Sequence, residues 1–164
     1  DQAKTFIYAF LYGAGPDKIG KIVGAGKEQG KMLIKRFLSN LPALRRLREQ
    51  VENAGRRGKI KAIDGRYLKV RNAHSALNTL LQGAGAIICK HWLLRITHRV
   101  YNKKLDVKLV ASVHDEYQFE VANKDVGEFC SITKIGIKET ENLLKLRCPL
   151  DNDYKVGVTW AETH

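Results

Sequence analysis

Val113-His114-Asp115-Glu116 sets an imidazole and two adjacent carboxylates between two stretches of strand character. In the second stretch, residues 116–121, Tyr117, Phe119 and Val121 alternate with Glu116, Gln118 and Glu120, the period of a half-buried strand. In the first, residues 108–113, Leu109, Ala111 and Val113 share one parity. Tight hairpins favour Asn-Gly, Asp-Gly or Gly-X because their turns need positive φ, so His-Asp is a poor choice for turning alone. Carboxylate oxygens presented at a hairpin tip suit a hard cation such as Mg²⁺. A merely solvated polar tip fits the same four residues equally well.

Two other sets carry chemistry by type and spacing. Lys4, Tyr8 and Tyr12 fall at i,i+4, so a helix puts one cation and two phenols on one face. The bland alternative is an amphipathic rim. His74, Asn78 and Gln82 repeat the same spacing as a stripe of hydrogen-bond donors, beside Gly83-Ala84-Gly85-Ala86. Glycine inside a helix costs about 1 kcal/mol relative to Ala, so two of them point to close packing there. By contrast, Gly24-Ala25-Gly26-Lys27 resembles a phosphate loop only superficially, because it lacks the full Walker spacing and no strand precedes it. His91 and His98 have no cysteine or carboxylate at metal spacing and read as ordinary helix residues.

The elements that must position these residues follow from periodicity and punctuation. A helix over residues 1–12, with Ala3, Phe6, Ile7, Phe10 and Leu11 inward, stops at Gly13. Pro16 opens a short helix to Val23, and Gly24-Ala25-Gly26 breaks it. Residues 27–38 form an amphipathic helix with Met32, Ile34, Phe37 and Leu38 apolar, and Pro42 opens another to about Ala54. Asp64-Gly65, the strongest hairpin signal, joins two short basic strands over residues 59–63 and 66–71. The longest helix spans residues 73–101, its core side supplied by Leu80, Leu81, Ile87, Ile88, Trp92, Leu93 and Ile96. Residues 125–146 read as a helix with Val126, Phe129, Ile132, Ile135 and Leu143 inward. A last strand over residues 153–158 follows, with Trp160 pinning the tail. No repeat, low-complexity segment or linker appears, which predicts one compact α+β unit.

Composition narrows the partners. With 164 residues and 44% hydrophobic content, the chain can bury roughly 70% of its unfolded surface in a real core. Lys and Arg number 29 against 17 acidic residues, a formal charge of +12, which points to a polyanion and most simply to nucleic acid. Cys89, Cys130 and Cys148 form no CxxC pair and read as reduced core thiols of an intracellular protein. The longest apolar run, residues 83–89, is too short to span a membrane, and no signal peptide is present. Position 1 is not Met and lies inside a helical pattern, so the chain reads as a piece of something longer.

Lys4-x3-Tyr8-x3-Tyr12-Gly13 resembles the fingers-helix motif of the family A DNA polymerases, usually called motif B. His74, Asn78 and Gln82 match the polar face of that family's long palm helix, and Val113-His114-Asp115-Glu116 is similar to its motif C. Residues 157–164, with Trp160, resemble its C-terminal end. Lys4-Thr5-Phe6-Ile7-Tyr8 and Leu77-Asn78-Thr79-Leu80-Leu81-Gln82 look closest to the replicative branch from short-tailed phages. The resemblance covers essentially the whole chain. Three parts of the family pattern are not found: the arginine that opens motif B, the motif A aspartate, and the thumb and exonuclease regions.

The resemblance implies a partial right-hand polymerase fold, with fingers helices over residues 1–58 and the C-terminal part of the palm over residues 59–164. That palm part comprises half of an antiparallel sheet and the long helix. It implies a DNA-directed DNA polymerase that needs a separate N-terminal portion carrying motif A, acting in the cytoplasm, at the nucleoid or in a phage-infected host cell. Asp115 is then a ligand of one of two Mg²⁺ ions, with Glu116 an auxiliary carboxylate. Lys4 contacts the incoming triphosphate, Tyr8 the sugar and Tyr12 the templating base. His114 approaches the primer terminus, and Arg71 with His74 the primer–template backbone or groove. Asn78 and Gln82 have an independent rationale: the minor groove offers nearly the same acceptors for every base pair, so donors there check pairing without reading sequence. A processivity factor is a further partner that the resemblance leaves open; a membrane is not. Two rivals remain on sequence: a non-catalytic DNA-binding remnant, and an interaction module whose basic surface meets a protein.

Overall fold

The computed structural model describes residues 2–163. The expected helix start at Asp1 and the terminal His164 lie outside them. The fold is mixed helix and strand, as the periodicities require, but it divides into two compact units, Asp1–Ala84 and Gly85–His164, instead of one.

In the first unit, α1 (Gln2–Leu11), α2 (Pro16–Ile22), α3 (Lys27–Asn40) and α4 (Pro42–Gly55) precede an antiparallel pair, β1 (Lys59–Lys61) and β2 (Tyr67–Lys69). Phe6 and Phe10, one turn apart on α1, are buried and meet the edge of Phe37 at 5.1 Å each. With Ile19 and Leu77 they form one core cluster. That aromatic contact takes the whole inward face of α1, so Ile7, expected inside, is 41% exposed, and Ala3 is exposed as well. On α3 the contact with α2 is made by Gly30, whose backbone lies against Pro16 and Gly20. Met32, two residues or about 200° further round, therefore faces solvent rather than core. A second cluster, Val51, Ile60, Val70 and Ala76, lies under the hairpin.

The long helix α5 (Ala76–Lys103) begins three residues later than expected, after a 3-10 turn at Ala73–Ser75. The side chain of Asn72 caps that turn by accepting the Ser75 N–H at 2.9 Å. Leu81 is exposed, not core, whereas Ile87 and Ile96 are buried.

In the second unit β3 (Val107–Val113) and β4 (Glu116–Val121) form an antiparallel hairpin, followed by α6 (Val126–Leu143) and a short α7 (Trp160–Thr163). Ile96, Phe129 and Ile132 make its core with Trp92, Val107, Phe119 and Val121. The expected single parity of β3 fails because register shifts between Leu109, opposite Phe119, and Ala111, opposite Gln118. A bulge at Val110 inserts one residue and exchanges the faces beyond it, leaving Leu109 and Val113 half exposed. On α6 the inward stripe runs through Phe129, Ile132, Thr133, Gly136, Ile137 and Thr140, so Ile135 and Leu143 face outward, against expectation.

Residues 151–157 form no strand, because among the described residues no strand hydrogen-bonds to them. The segment is held instead by polar contacts: Glu141 accepts the Leu150 N–H at 2.6 Å, and Lys134 donates to Asp151 and to the Asn152 carbonyl. Trp160 is 52% exposed and opens α7; burial does not pin the tail. The cysteines are free thiols, Cys89 and Cys130 half-buried and Cys148 exposed, so "core" describes none of them fully.

Candidate functional site

Three candidate residues of the first unit, Lys4, Tyr8 and Tyr12, lie along α1 and the turn that follows it. Lys4, Tyr8 and Tyr12 are exposed, the phenols at 53% and 59%. Tyr12 follows the last residue of α1, and its N–H still reaches the Tyr8 carbonyl at 2.9 Å, so the i,i+4 spacing is realised as one more helical turn. Gly13, at φ +84, then turns the chain; a Cβ there would sit 3.3 Å from the His74 carbonyl oxygen. A 480 Å³ cavity opens at this junction, with Phe10, Gly13, Pro16, Arg48, His74 and Leu77 on its walls. The structure thus brings the Tyr12 turn and the His74 turn together, a contact 61 positions apart that spacing alone does not reveal.

Arg71, His74 and Gln82 are exposed and Asn78 is half-buried. His74 lies in the 3-10 turn before α5, not on the helix proper. Among the described residues neither the Asn78 nor the Gln82 amide hydrogen-bonds to protein. The glycine reading holds at one position of two. A Cβ at Gly83 would fall 2.4 Å from Cδ1 of Leu68, whereas at Gly85 it would meet nothing within 4 Å.

In the second unit Val113 pairs with Glu116, so His114-Asp115 is a two-residue turn, tight in spite of its composition. It closes because His114 takes φ +55, a left-handed conformation that side chains other than glycine adopt at a cost. Asp115 stands exposed at the tip. Glu116 is half-buried, and its carboxylate accepts a hydrogen bond from Nε2 of Gln118. Oε1 of Gln118 is in turn 3.5 Å from Oγ1 of Thr163. Behind the strand a run of rings supports it: Trp92–Tyr117 at 5.4 Å, Tyr117–Phe119 at 6.3 Å and Phe119–Phe129 at 4.8 Å. The Trp92 indole N–H donates to the Thr133 carbonyl at 2.9 Å, fixing α5 against α6.

Cys89 joins this neighbourhood unannounced. Burial, and after it the charge of Asp115, push its thiol pKa up; burial and then Cys89 push the Tyr117 phenol up. The available signal is that Cys89, Trp92 and Ile96 share one face of α5, at i, i+3 and i+7. Gln118, the support of Glu116, gave no signal beyond strand alternation.

The donor chemistry fits a magnesium ion in kind: Asp115 and Glu116 offer hard oxygens, one of them solvent-facing. Among the described residues no group of three or more His, Cys, Asp or Glu side chains is close enough to hold an ion. No described helix is long and apolar enough to cross a membrane.

A family model described as "DNA polymerase family A" matches residues 1–162. The DNA-directed DNA polymerase of Enterobacteria phage T3 is 41% identical over all of this chain, and that of Escherichia phage T7 is 42% identical. The chain spans 26% of the length of each. Among solved structures, the POL domain of Pol1 from M. smegmatis, in complex with DNA primer-template and dNTP, superposes with a TM-score of 0.76 over 85% of this chain and 27% of its own. At 20% identity that likeness is one of fold.

Proposed function

This chain belongs to DNA polymerase family A, and on that premise we propose that it is the C-terminal fingers–palm portion of a template-directed DNA polymerase. The observation that carries the reading is the hairpin tip. A strained His114 turn holds Asp115 out to solvent beside a Glu116 fixed by Gln118. Residues 1–58 serve as fingers and residues 59–164 as palm, in a protein that works in the cytoplasm of a cell or infected host.

In the reaction, the primer 3′-oxygen attacks the α-phosphorus of a dNTP and pyrophosphate leaves. Two Mg²⁺ ions, when bound, neutralise charge on the attacking and leaving oxygens. Asp115 is the ligand this chain offers, with Glu116 beside it. Lys4 binds the triphosphate and can give its proton to the departing pyrophosphate. Tyr8 lies along the sugar and Tyr12 by the templating base. Arg71, His74 and His114 hold the primer–template, while Asn78 and Gln82 donate into its minor groove. Two carboxylates are too few for two ions, so the remaining ligand comes from an N-terminal portion carrying the family's motif A aspartate.

The net charge of +12 equally favours a second reading, a DNA-binding remnant without catalysis. Reconstitution separates them. Mixed with a polypeptide that supplies the motif A portion, Mg²⁺ and dNTPs, the chain should extend a primer that neither part extends alone. Duplex binding without extension in the mixture would favour the remnant. Extension by this chain alone would remove the need for a second part.

A further inference from the structure

Strands β1 and β2 turn three lysines and a tyrosine to one face. Lys59 stands directly opposite Lys69 and Lys61 opposite Tyr67, while Ile60 and Leu68 pair on the reverse. Exposure alternates accordingly: Ile60 is 3% exposed, whereas Lys59, Lys61, Tyr67 and Lys69 are all exposed, the tyrosine at 66%. Like charges directly opposite across an antiparallel pair destabilise it. The carboxylate of the connecting turn does not relieve them, because Asp64 is taken by Arg66 at 2.6 Å. Among the described residues none of the three lysines forms an ion pair.

This face is also held still. Ile60 belongs to the buried cluster with Val51, Val70 and Ala76, and Leu68 packs close against Gly83, its Cδ1 2.4 Å from where a Cβ there would stand. The ammonium of Lys59 sits 4.9 Å from the centre of the Tyr67 ring, which orients both groups. Lys59 and Lys61, two residues apart on one strand, are spaced by about 6.8 Å. A rigid strand face with unrelieved positive charge and an exposed aromatic is costly unless a polyanion with stackable rings covers it.

We propose that this face binds single-stranded DNA, with Lys59, Lys61 and Lys69 on the phosphates and Tyr67 as a platform for a base. A duplex keeps its bases stacked inside and offers the lysines only phosphates; an unpaired strand uses the ring as well. The choice of DNA as the nucleic acid rests on the polymerase reading. None of its four residues is among those assigned above to primer–template and nucleotide.

The test titrates the full chain with labelled oligo-dT at several salt concentrations, and with a duplex of equal length. Lys59→Gln, Lys61→Gln and Lys69→Gln should each flatten the dependence of log K on log salt by about 0.7 on the single strand. Tyr67→Leu, which keeps the strand and leaves the charge alone, should weaken oligo-dT binding about tenfold with an unchanged slope, and should leave duplex binding as it was. Lys69→Gln also removes a like-charge pair and leaves the Lys59–Tyr67 contact in place, so its melting temperature should not fall; that checks the fold. Oligo-dT binding unmoved by all four substitutions overturns the proposal. So does competition by polyglutamate together with indifference to Tyr67→Leu, which would assign the face to an acidic polypeptide. Neither result touches reconstituted primer extension, and failure of extension leaves oligo-dT binding to be read by itself.

Discussion

Asn78 and Gln82 can be interrogated without any catalysis by this chain. Both are neutral donors whose amides make no hydrogen bond among the described residues, so removing them should cost little folding stability. Asn78→Ala and Gln82→Ala are expected to reduce the preference for matched over mismatched primer termini and to leave the salt dependence of duplex binding alone. A lost phosphate contact, by contrast, flattens that dependence by about 0.9 on duplex DNA. Equal weakening on matched and mismatched termini, with a drop in melting temperature, would return both residues to a structural role. At this scale the sequence carried residue type and spacing, namely adjacent carboxylates, a lysine and two phenols one turn apart, and a donor stripe, and the structure adds their exposure. It was silent on the part Gln118 plays, because a side chain that serves another through space leaves no period of its own; Cys89 showed only in the face it shares with Trp92 and Ile96.

At the scale of elements, helices and hairpins were legible from proline, glycine and alternation, since those signals are local. Face assignments were less so. Ile7, Met32, Ile135 and Leu143 are apolar at helical spacing yet exposed, because how much of a helix is covered is decided by its neighbours. The Val110 bulge is similar: a one-residue insertion is invisible in the composition of β3 but exchanges its faces. Residues 153–158 show the same limit, for a strand pattern needs a partner edge. Glycines give the sharpest test. At Gly30 a Cβ would fall 2.0 Å from the Pro16 carbonyl oxygen, backbone that cannot step aside, whereas at Gly85 it would enter open space. Gly30→Ala should therefore destabilise by about 1–3 kcal/mol through overpacking, lowering the melting temperature by about 2–4 °C per kcal/mol. Gly85→Ala should be neutral or stabilising by up to about 1 kcal/mol. Thermal unfolding of the two variants checks this, and a reversed order would mean that α2 and α3 do not pack through their glycines.

For the whole molecule, local pattern gave the class of fold but not its division. Two of the three core clusters lie in Asp1–Ala84 and the third in Gly85–His164, with α5 running through the boundary. Nothing in the periodicity of α5 marks that point; the division follows from which distant side chains each half of the helix collects. Family membership rests on the entire chain, whereas the catalysis proposed for it would rest on one exposed turn and on residues supplied from elsewhere. The most direct test of that account is single-turnover primer extension by the reconstituted complex, comparing Asp115→Ala with the unaltered chain. Loss of a metal ligand forfeits several kcal/mol of transition-state stabilisation, so the rate should fall by about a thousandfold or more while the dissociation constant for primer–template stays unchanged. Near-normal turnover by Asp115→Ala would contradict the account.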